Sequence, residues 1–207
     1  MACGKKYEKR LRACSYALIA GTDEVGRGAL AGPVVAAAVI LNLNDVPRGI
    51  DDSKKLTKRQ RERLADEIAR RAVTYSVSRV EPDEIDRINI LQASLLAMRL
   101  SVKGLQPPAD YVLIDGRNEI PGLHCPQLSI VKGDSLSVSI AAASILAKVS
   151  RDRWMSEYEE EYPGYGFASH VGYSTQVHQE AISRLGPSAI HRMSFRGVQS
   201  RQLAFDL

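Results

Sequence analysis

The sequence predicts an α/β protein, a mixed sheet with helices packed against it. Three observations carry that expectation. Apolar, β-rich runs open the chain at 16–23, 33–41 and 72–80. Helix-period segments then alternate with two further short apolar runs. A long helical stretch with a small, apolar first half follows them. Strands first and alternation afterwards favour a mixed sheet; strand order is not legible in this pattern.

The first two strands are joined by a glycine-rich turn in "LIAGTDEVGRGALAGPVVAAAVIL" (18–41). In "DDSKKLTKRQRERLADEIARR" Thr57 is placed to cap a helix on which Leu64, Ile68 and Arg71 recur at helical spacing. The alternating "AVTYSVSRV" (72–80) gives the third strand. An amphipathic helix is expected over 88–103, ending at Gly104. "YVLID" (111–115) reads as a buried strand ending in an acid, and "LSIVKGD" (128–134) as another short one. From Ser135 a long helix runs until Pro163 closes it. A glycine-rich turn, "GYGFASHVGYST", leads to a helix near 175–185 and a polar tail.

The 207 residues suit one domain with an appendage: 1–198 with a helical extension from about 160, then a mobile tail over 199–207. A net charge of +4, from 28 basic and 24 acidic residues, permits a nucleic-acid partner without arguing for one. Cys3, Cys14 and Cys125 are too few and too scattered for a disulfide framework or a zinc site, and read as free thiols of a reducing compartment. The opening "MACGKKYEKRLRACSY" lacks the apolar core of a signal peptide, and "AGPVVAAAVIL" is too short to span a bilayer. These features describe a cytoplasmic protein, and nothing in the sequence demands more than a monomer.

Asp23, Glu24, Asp115 and Asp134 share one property: each ends an apolar, strand-like segment or directly follows one. Ligands of open α/β sheets gather where strands end. Four converging carboxylates repel one another unless cations lie between them, and Mg²⁺ or Mn²⁺ prefers such oxygen ligands. Each acid also has a plainer reading. Asp134 precedes a helix and would serve as its N-cap. Asp115 opens an Asp-Gly turn, and Asp23 and Glu24 would mark a solvated strand end. Neighbours on a regular strand point to opposite faces, so both reach one site only if the strand ends or bulges there. Gly26 and Gly28 are likewise open to two readings, a tight turn of positive φ or a place where a ligand approaches the backbone, with Arg27 offering donors to a phosphate.

Taken together, "DEVGRG", "DSKKLT", "IDG", "VKGDSLSVSIAAASILAKVSRD" and "SHVGYSTQVHQEAISRLGPSAIHRMSF" resemble, in order and spacing, the motif set of the bacterial type 2 ribonucleases H, the ribonuclease HII family, from about residue 17 to 198. The resemblance implies a ribonuclease H-like fold, a mixed five-stranded sheet flanked by helices with a C-terminal helical extension. It implies an endonuclease that cuts RNA in RNA–DNA hybrids and nicks 5′ to a lone ribonucleotide in duplex DNA, leaving a 3′-hydroxyl and a 5′-phosphate. Asp23, Glu24, Asp115 and Asp134 fall on the family's metal-binding acids, with two Mg²⁺ or Mn²⁺ ions expected in the substrate complex. Gly26, Arg27 and Gly28 fall on the loop that reads the ribose 2′-hydroxyl, and Tyr173 on the tyrosine that packs on the next sugar. Ser53 and Lys54 are expected at a phosphate. The last acid is Asp134, where the related type 3 enzymes carry glutamate, and fewer than 20 residues precede the first strand. Type 2 is therefore preferred.

Lys148 and Arg151, three apart on the long helix, share a face toward the duplex or are surface charges. His170, His178 and His191 read as structural or phosphate-facing rather than as ligands, and Trp154 as core. At Val171 the family more usually carries lysine, and its loss lowers the salt dependence of binding by about one unit. In the tail, "QLAFDL" resembles the short motif that docks replication and repair proteins on the bacterial sliding clamp. Gln202 would make polar contacts and Leu203, Phe205 and Leu207 would anchor; the other reading is an ordinary frayed end. Competing readings of the whole are a non-catalytic hybrid-binding module and a DNA-only nuclease of the same fold.

Overall fold

The computed structural model describes residues 3–198. Its strands are β1 Ile19–Val25, β2 Val34–Leu41, β3 Ala72–Val80, β4 Tyr111–Asp115 and β5 Gln127–Ile130. They form one sheet in the order β3-β2-β1-β4-β5. β1 is antiparallel to β2 and β2 to β3, whereas β4 is parallel to β1 and β5 to β4. The mixed five-stranded sheet is thus as expected. Because β1 and β4 run the same way, with Thr22 opposite Ile114, Asp23 and Asp115 emerge side by side at one end.

β2 is buried along its whole length, as its unbroken apolar run demands. Its alternate residues serve two layers. Val34, Ala36, Ala38 and Ile40 pack with Ala93, Ala97 and Met98 of α4 (Ile90–Lys103). Val35, Ala37, Val39 and Leu41 pack with Leu64 and Ile68 of α2 (Lys58–Arg71) and Ala141 and Ile145 of α5 (Val138–Glu161). Each fully buried Ile or Leu contributes about 2 kcal/mol. The small residues that open α5 have a specific cause. Gly21 of β1 lies so close beneath the helix that a Cβ would stand 2.2 Å from the Ser139 carbonyl carbon.

Several boundaries differ from the sequence reading, each for a local reason. β1 begins at Ile19 rather than at residue 16, because the Asp110 carboxylate takes the N–H groups of Ala17 and Leu18 at 2.7 and 2.9 Å. The helix expected over 88–103 is a single helix starting at Ile90, and a separate helix that was not anticipated, α3 (Pro82–Ile88), precedes it. Asn89, at φ 69°, separates Pro82–Ile88 from Ile90–Lys103 and caps the latter through the N–H groups of Leu91 and Gln92. The fifth strand stops at Ile130, and Lys132 in the left-handed region turns the chain into a 3₁₀ turn at Gly133–Ser135. The long helix starts at Val138, with Ser137 as its N-cap. A short N-terminal helix, α1 (Lys6–Ala13), was not anticipated. Thr57 does cap its helix, in a reciprocal box with Gln60. Trp154 is half-buried at the margin of its core cluster, with Arg79 4.7 Å from the ring centre. The tail residues Gln202, Leu203, Phe205 and Leu207 lie outside the described residues.

Candidate active site

The four acids come together by three different routes. β1 does not bulge at its acids: Asp23 pairs regularly with Ala37 and Glu24 with Ala36. The pleat therefore sends them to opposite faces. Asp23 shares the α5 face with Val25, and Glu24 the α4 face with Ala20. They meet at the rim of the sheet because β1 ends at Val25, one residue after Glu24; of the two expected alternatives the strand end is found and the bulge is not. Asp115 ends β4, and its Oδ1 accepts from the N–H of Gly133 at 2.7 Å and of Asp134 at 3.4 Å. Asp134 lies buried on the 3₁₀ turn before α5. Since Ser137 caps that helix, capping does not account for Asp134.

The cluster is electrostatically under-compensated. Burial first, and then Glu24 and Asp115, push the Asp23 carboxyl well above the usual range, while the Ser144 hydroxyl favours its ionised form. Burial also raises Glu24, although Arg27, 3.1 Å away, opposes it. Asp115 is raised by burial and by Asp134 against the pull of its two N–H bonds. Glu24 Oε2 is buried without a hydrogen-bond partner. Lys54 reaches in with its Nζ 3.4 Å from Asp134, and despite partial desolvation the nearby carboxylates hold its ammonium above the ordinary range. Among the described residues no three Asp, Glu, His or Cys side chains already close on a single cation position. An all-oxygen donor set, mutual repulsion and an orphaned carboxylate oxygen nevertheless fit hard divalent ions. Lys54 and Arg27 occupy the place of such ions only in part.

The turn after β1 stands beside these acids. Gly26 has φ 92°, and a Cβ on it would lie 2.2 Å from Arg151 Nε, so the fold itself requires glycine there. Gly28 differs: it is exposed, and a Cβ on it would meet nothing within 4 Å. The chain after it pairs with the glycine-rich turn, Ala29 bridging to Tyr173 and Leu30 N–H bonding Gly172 O at 2.8 Å. Tyr173 is thereby set next to the turn, its ring 5.5 Å from the Arg151 guanidinium.

Other expected residues fall elsewhere. Arg151 is not at a duplex-facing surface. It is fully buried and donates to the carbonyls of Pro33 (3.0 Å), Val171 (2.9 Å) and Ala31 (3.2 Å). Lys148 is tied to Asp152 at 2.8 Å. Ser53 is buried, its hydroxyl 2.9 Å from that of Ser144, so it is not free for a phosphate in this conformation. The histidines are structural: His170 stacks on His178, and the Nε2 atoms of His178 and His191 lie 3.1 Å apart. Val171 adopts φ 45°, a region that β-branched residues rarely enter. A recess of about 330 Å³ between α2 and α5, lined by Lys58, Arg61, Asp152 and Arg153, contains none of the acids. Glu24, Arg27 and Asp115 instead line a small recess of about 30 Å³ at the sheet rim, with Asp23 and Asp134 almost fully buried.

Two buried charges escaped the sequence reading. Glu8 caps the start of α5 through Ser137 Oγ (2.5 Å) and Ser139 N (3.1 Å). Arg192 lies under the turn after β1. Nothing in the local pattern ties residue 8 to 137 or residue 192 to 27.

Sheet order and strand direction define the class: this is a ribonuclease H-like α/β protein. The Ribonuclease HII family model matches residues 20–198. Ribonuclease HII of Geotalea uraniireducens is 56% identical over 195 residues, covering 94% of this chain and 89% of the relative. That of Syntrophotalea carbinolica is 52% identical, covering 93% and 92%. The ribonuclease H2 structure from Pyrococcus horikoshii OT3 superposes with a TM-score of 0.73 at 26% identity, over 88% of this chain and 95% of that one. The ribonuclease HII of the PCNA:RNase HII complex from Archaeoglobus fulgidus gives 0.72 at 27%, with the same coverage. A structure of Bst-RNase HIII in complex with Mn²⁺, 20% identical with a TM-score of 0.68, shares the fold. The chain belongs to the ribonuclease HII family. It is a metal-dependent endoribonuclease acting on RNA paired with DNA. Among the described residues no helix is long and apolar enough to cross a membrane.

Proposed function

We propose that this enzyme nicks duplex DNA on the 5′ side of a single embedded ribonucleotide, as well as cutting longer hybrids, and leaves 3′-hydroxyl and 5′-phosphate ends. Asp23, Glu24, Asp115 and Asp134 would hold two Mg²⁺ or Mn²⁺ ions when substrate is bound. The observation that carries this reading is four buried or half-buried acids at one sheet rim, three of them held toward protonation and one with an orphaned oxygen. Divalent ions held there would supply Lewis acidity for phosphodiester hydrolysis. The chain's own part is binding and register. Asp115 is braced on the Gly133 turn so that its other oxygen is free. Lys54, exposed for most of its length, would exchange Asp134 for a substrate phosphate. The open backbone at Gly28 admits the ribose, whose 2′-hydroxyl alone separates RNA from DNA. Tyr173, pinned beside that turn, would pack on the next sugar.

The test is cleavage of a DNA duplex containing one ribonucleotide. Nicking is expected with Mg²⁺ or Mn²⁺, none in EDTA, and a loss of about 10²-fold or more in Asp134→Asn, the scale of removing one transition-state charge stabiliser. Full activity in the variant would sink the assignment. Binding without cutting by the wild type would make the chain a hybrid-binding module. We also propose that Gln202, Leu203, Phe205 and Leu207 engage a sliding clamp. A peptide of residues 198–207 should bind a bacterial clamp, and no binding at high micromolar concentration would end that proposal.

A further inference from the structure

The turn after β1 is gripped from beneath by a residue that the chemistry above does not use. We propose that Arg192 is a positioning residue for ribose recognition: by holding the carbonyl of Arg27 inward, it turns the N–H of Gly28 outward toward the sugar of a bound ribonucleotide. The proposal rests on the reading of Gly26–Gly28 as the ribose-reading turn.

Arg192 is fully buried and forms no ion pair with an acid among the described residues. Its guanidinium is spent on backbone. Nη1 donates to Arg27 O at 3.0 Å, while Nε and Nη2 donate to Gly32 O at 3.0 and 2.8 Å. Its own N–H bonds Leu30 O at 2.8 Å. One side chain thus pins both ends of the segment 27–32. A buried cation without an ion pair is expensive: the Phe195 ring, 5.0 Å from the guanidinium, offsets part of the cost, yet burial together with Arg151 brings its pKa down to about 9. Lysine carries its three donors on a single nitrogen, whereas the planar fork of arginine spreads them over three and so reaches the two separated carbonyls in one fixed geometry.

The consequence follows from peptide geometry. Arg27 O and Gly28 N–H belong to one planar trans unit and point in opposite directions. With the oxygen fixed toward the core, the N–H faces out. Neither the Gly28 N–H nor the Arg27 N–H bonds a protein acceptor among the described residues. Gly28 has no positive φ and no crowding to explain it, so what its missing side chain leaves is room for a ligand. Arg151 packs against Gly26 but takes its hydrogen bonds in this loop at Ala31 and Pro33, and holds no carbonyl of Gly26–Gly28.

The experiment compares binding of two duplexes, one with a single ribonucleotide and one all-DNA, by Asp134→Asn in Mg²⁺, a background in which turnover is suppressed. The parent should prefer the ribonucleotide duplex about tenfold, the scale of one well-made hydrogen bond. In the double variant with Arg192→Lys the preference should fall to about twofold or less, while affinity for all-DNA changes by less than about twofold, because phosphate contacts are retained. An unchanged preference overturns the proposal, and so does an equal loss on both duplexes, which would mark a purely structural residue. No preference in the parent would instead overturn the ribose reading of the turn. Should Arg192→Lys fail to fold, the wild-type amide spectrum decides. The Gly28 N–H resonance should move with the ribonucleotide duplex and not with all-DNA, and identical responses would refute the positioning role.

Discussion

Two buried polar regions adjoin the turn after β1, and they are built on opposite principles. In the acid cluster, charges of one sign are packed together and left partly unpartnered. In the layer behind the turn, Arg151, Arg192, His178 and His191 are also buried, yet their polar atoms meet carbonyls or ring nitrogens at ordinary distances. The first region gives up stability to keep ligand oxygens available. The second contributes stability and rigidity to whatever lies above it. Functional strain and structural support are thus a few residues apart.

That contrast can be broken in four ways. The largest effect is expected behind the turn. Arg151→Met removes three backbone bonds and should lower stability by about 3 kcal/mol, read as a fall in the urea midpoint with an unchanged slope. A change below about 0.5 kcal/mol would show that the layer is not structural. Next come the two glycines. Gly26→Ala, at positive φ and against Arg151, should cost about 1–3 kcal/mol. Gly28→Ala should leave the melting temperature nearly unaltered but depress nicking at a lone ribonucleotide. Equal stability losses would erase the distinction drawn between them.

The acid cluster should respond in the opposite sense. A carboxylate whose folded pKa is raised adds stability below its unfolded value and loses it as pH climbs through the folded one, so at neutral pH the ionised cluster weakens the fold. Asp23→Asn in EDTA should therefore melt about 2–4 °C higher than the wild type. Added Mg²⁺ should raise the wild-type melting temperature more than that of the variant. A lower melting temperature for Asp23→Asn would mean that its bonds outweigh the repulsion. The smallest effect concerns His191, held near pKa 4 by burial and by His178. A depressed histidine stabilises the fold while neutral, and that contribution is lost as pH falls from about 6.5 toward the folded value. The pH dependence of the melting temperature over that window should be shallower in His191→Asn, and an identical profile would remove His191 from the account.

The parts legible in the sequence are those encoded locally. The unbroken apolar run of β2, the capping box at Thr57 and the acids at strand ends could be read without a fold. Long-range polar contacts could not. Arg151 looks like a surface charge until Pro33, Ala31 and Val171 turn their carbonyls toward it. Ser53 looks like a phosphate ligand until Ser144 takes its hydroxyl. Of the two ways the sequence offered for Asp23 and Glu24 to share a site, a strand end or a bulge, the structure takes the first: β1 stops at Val25, one residue on, and acids on opposite faces share that rim.

The bond from Arg192 to the carbonyl of Arg27 spans 165 positions of chain, and it sets an order of events during synthesis. The ribosome makes Asp23, Glu24 and the turn first, Asp115 and Asp134 in mid-course, and Arg192 only after all of them. A nascent chain can therefore carry every acid of the cluster while the turn that selects the sugar still lacks its anchor.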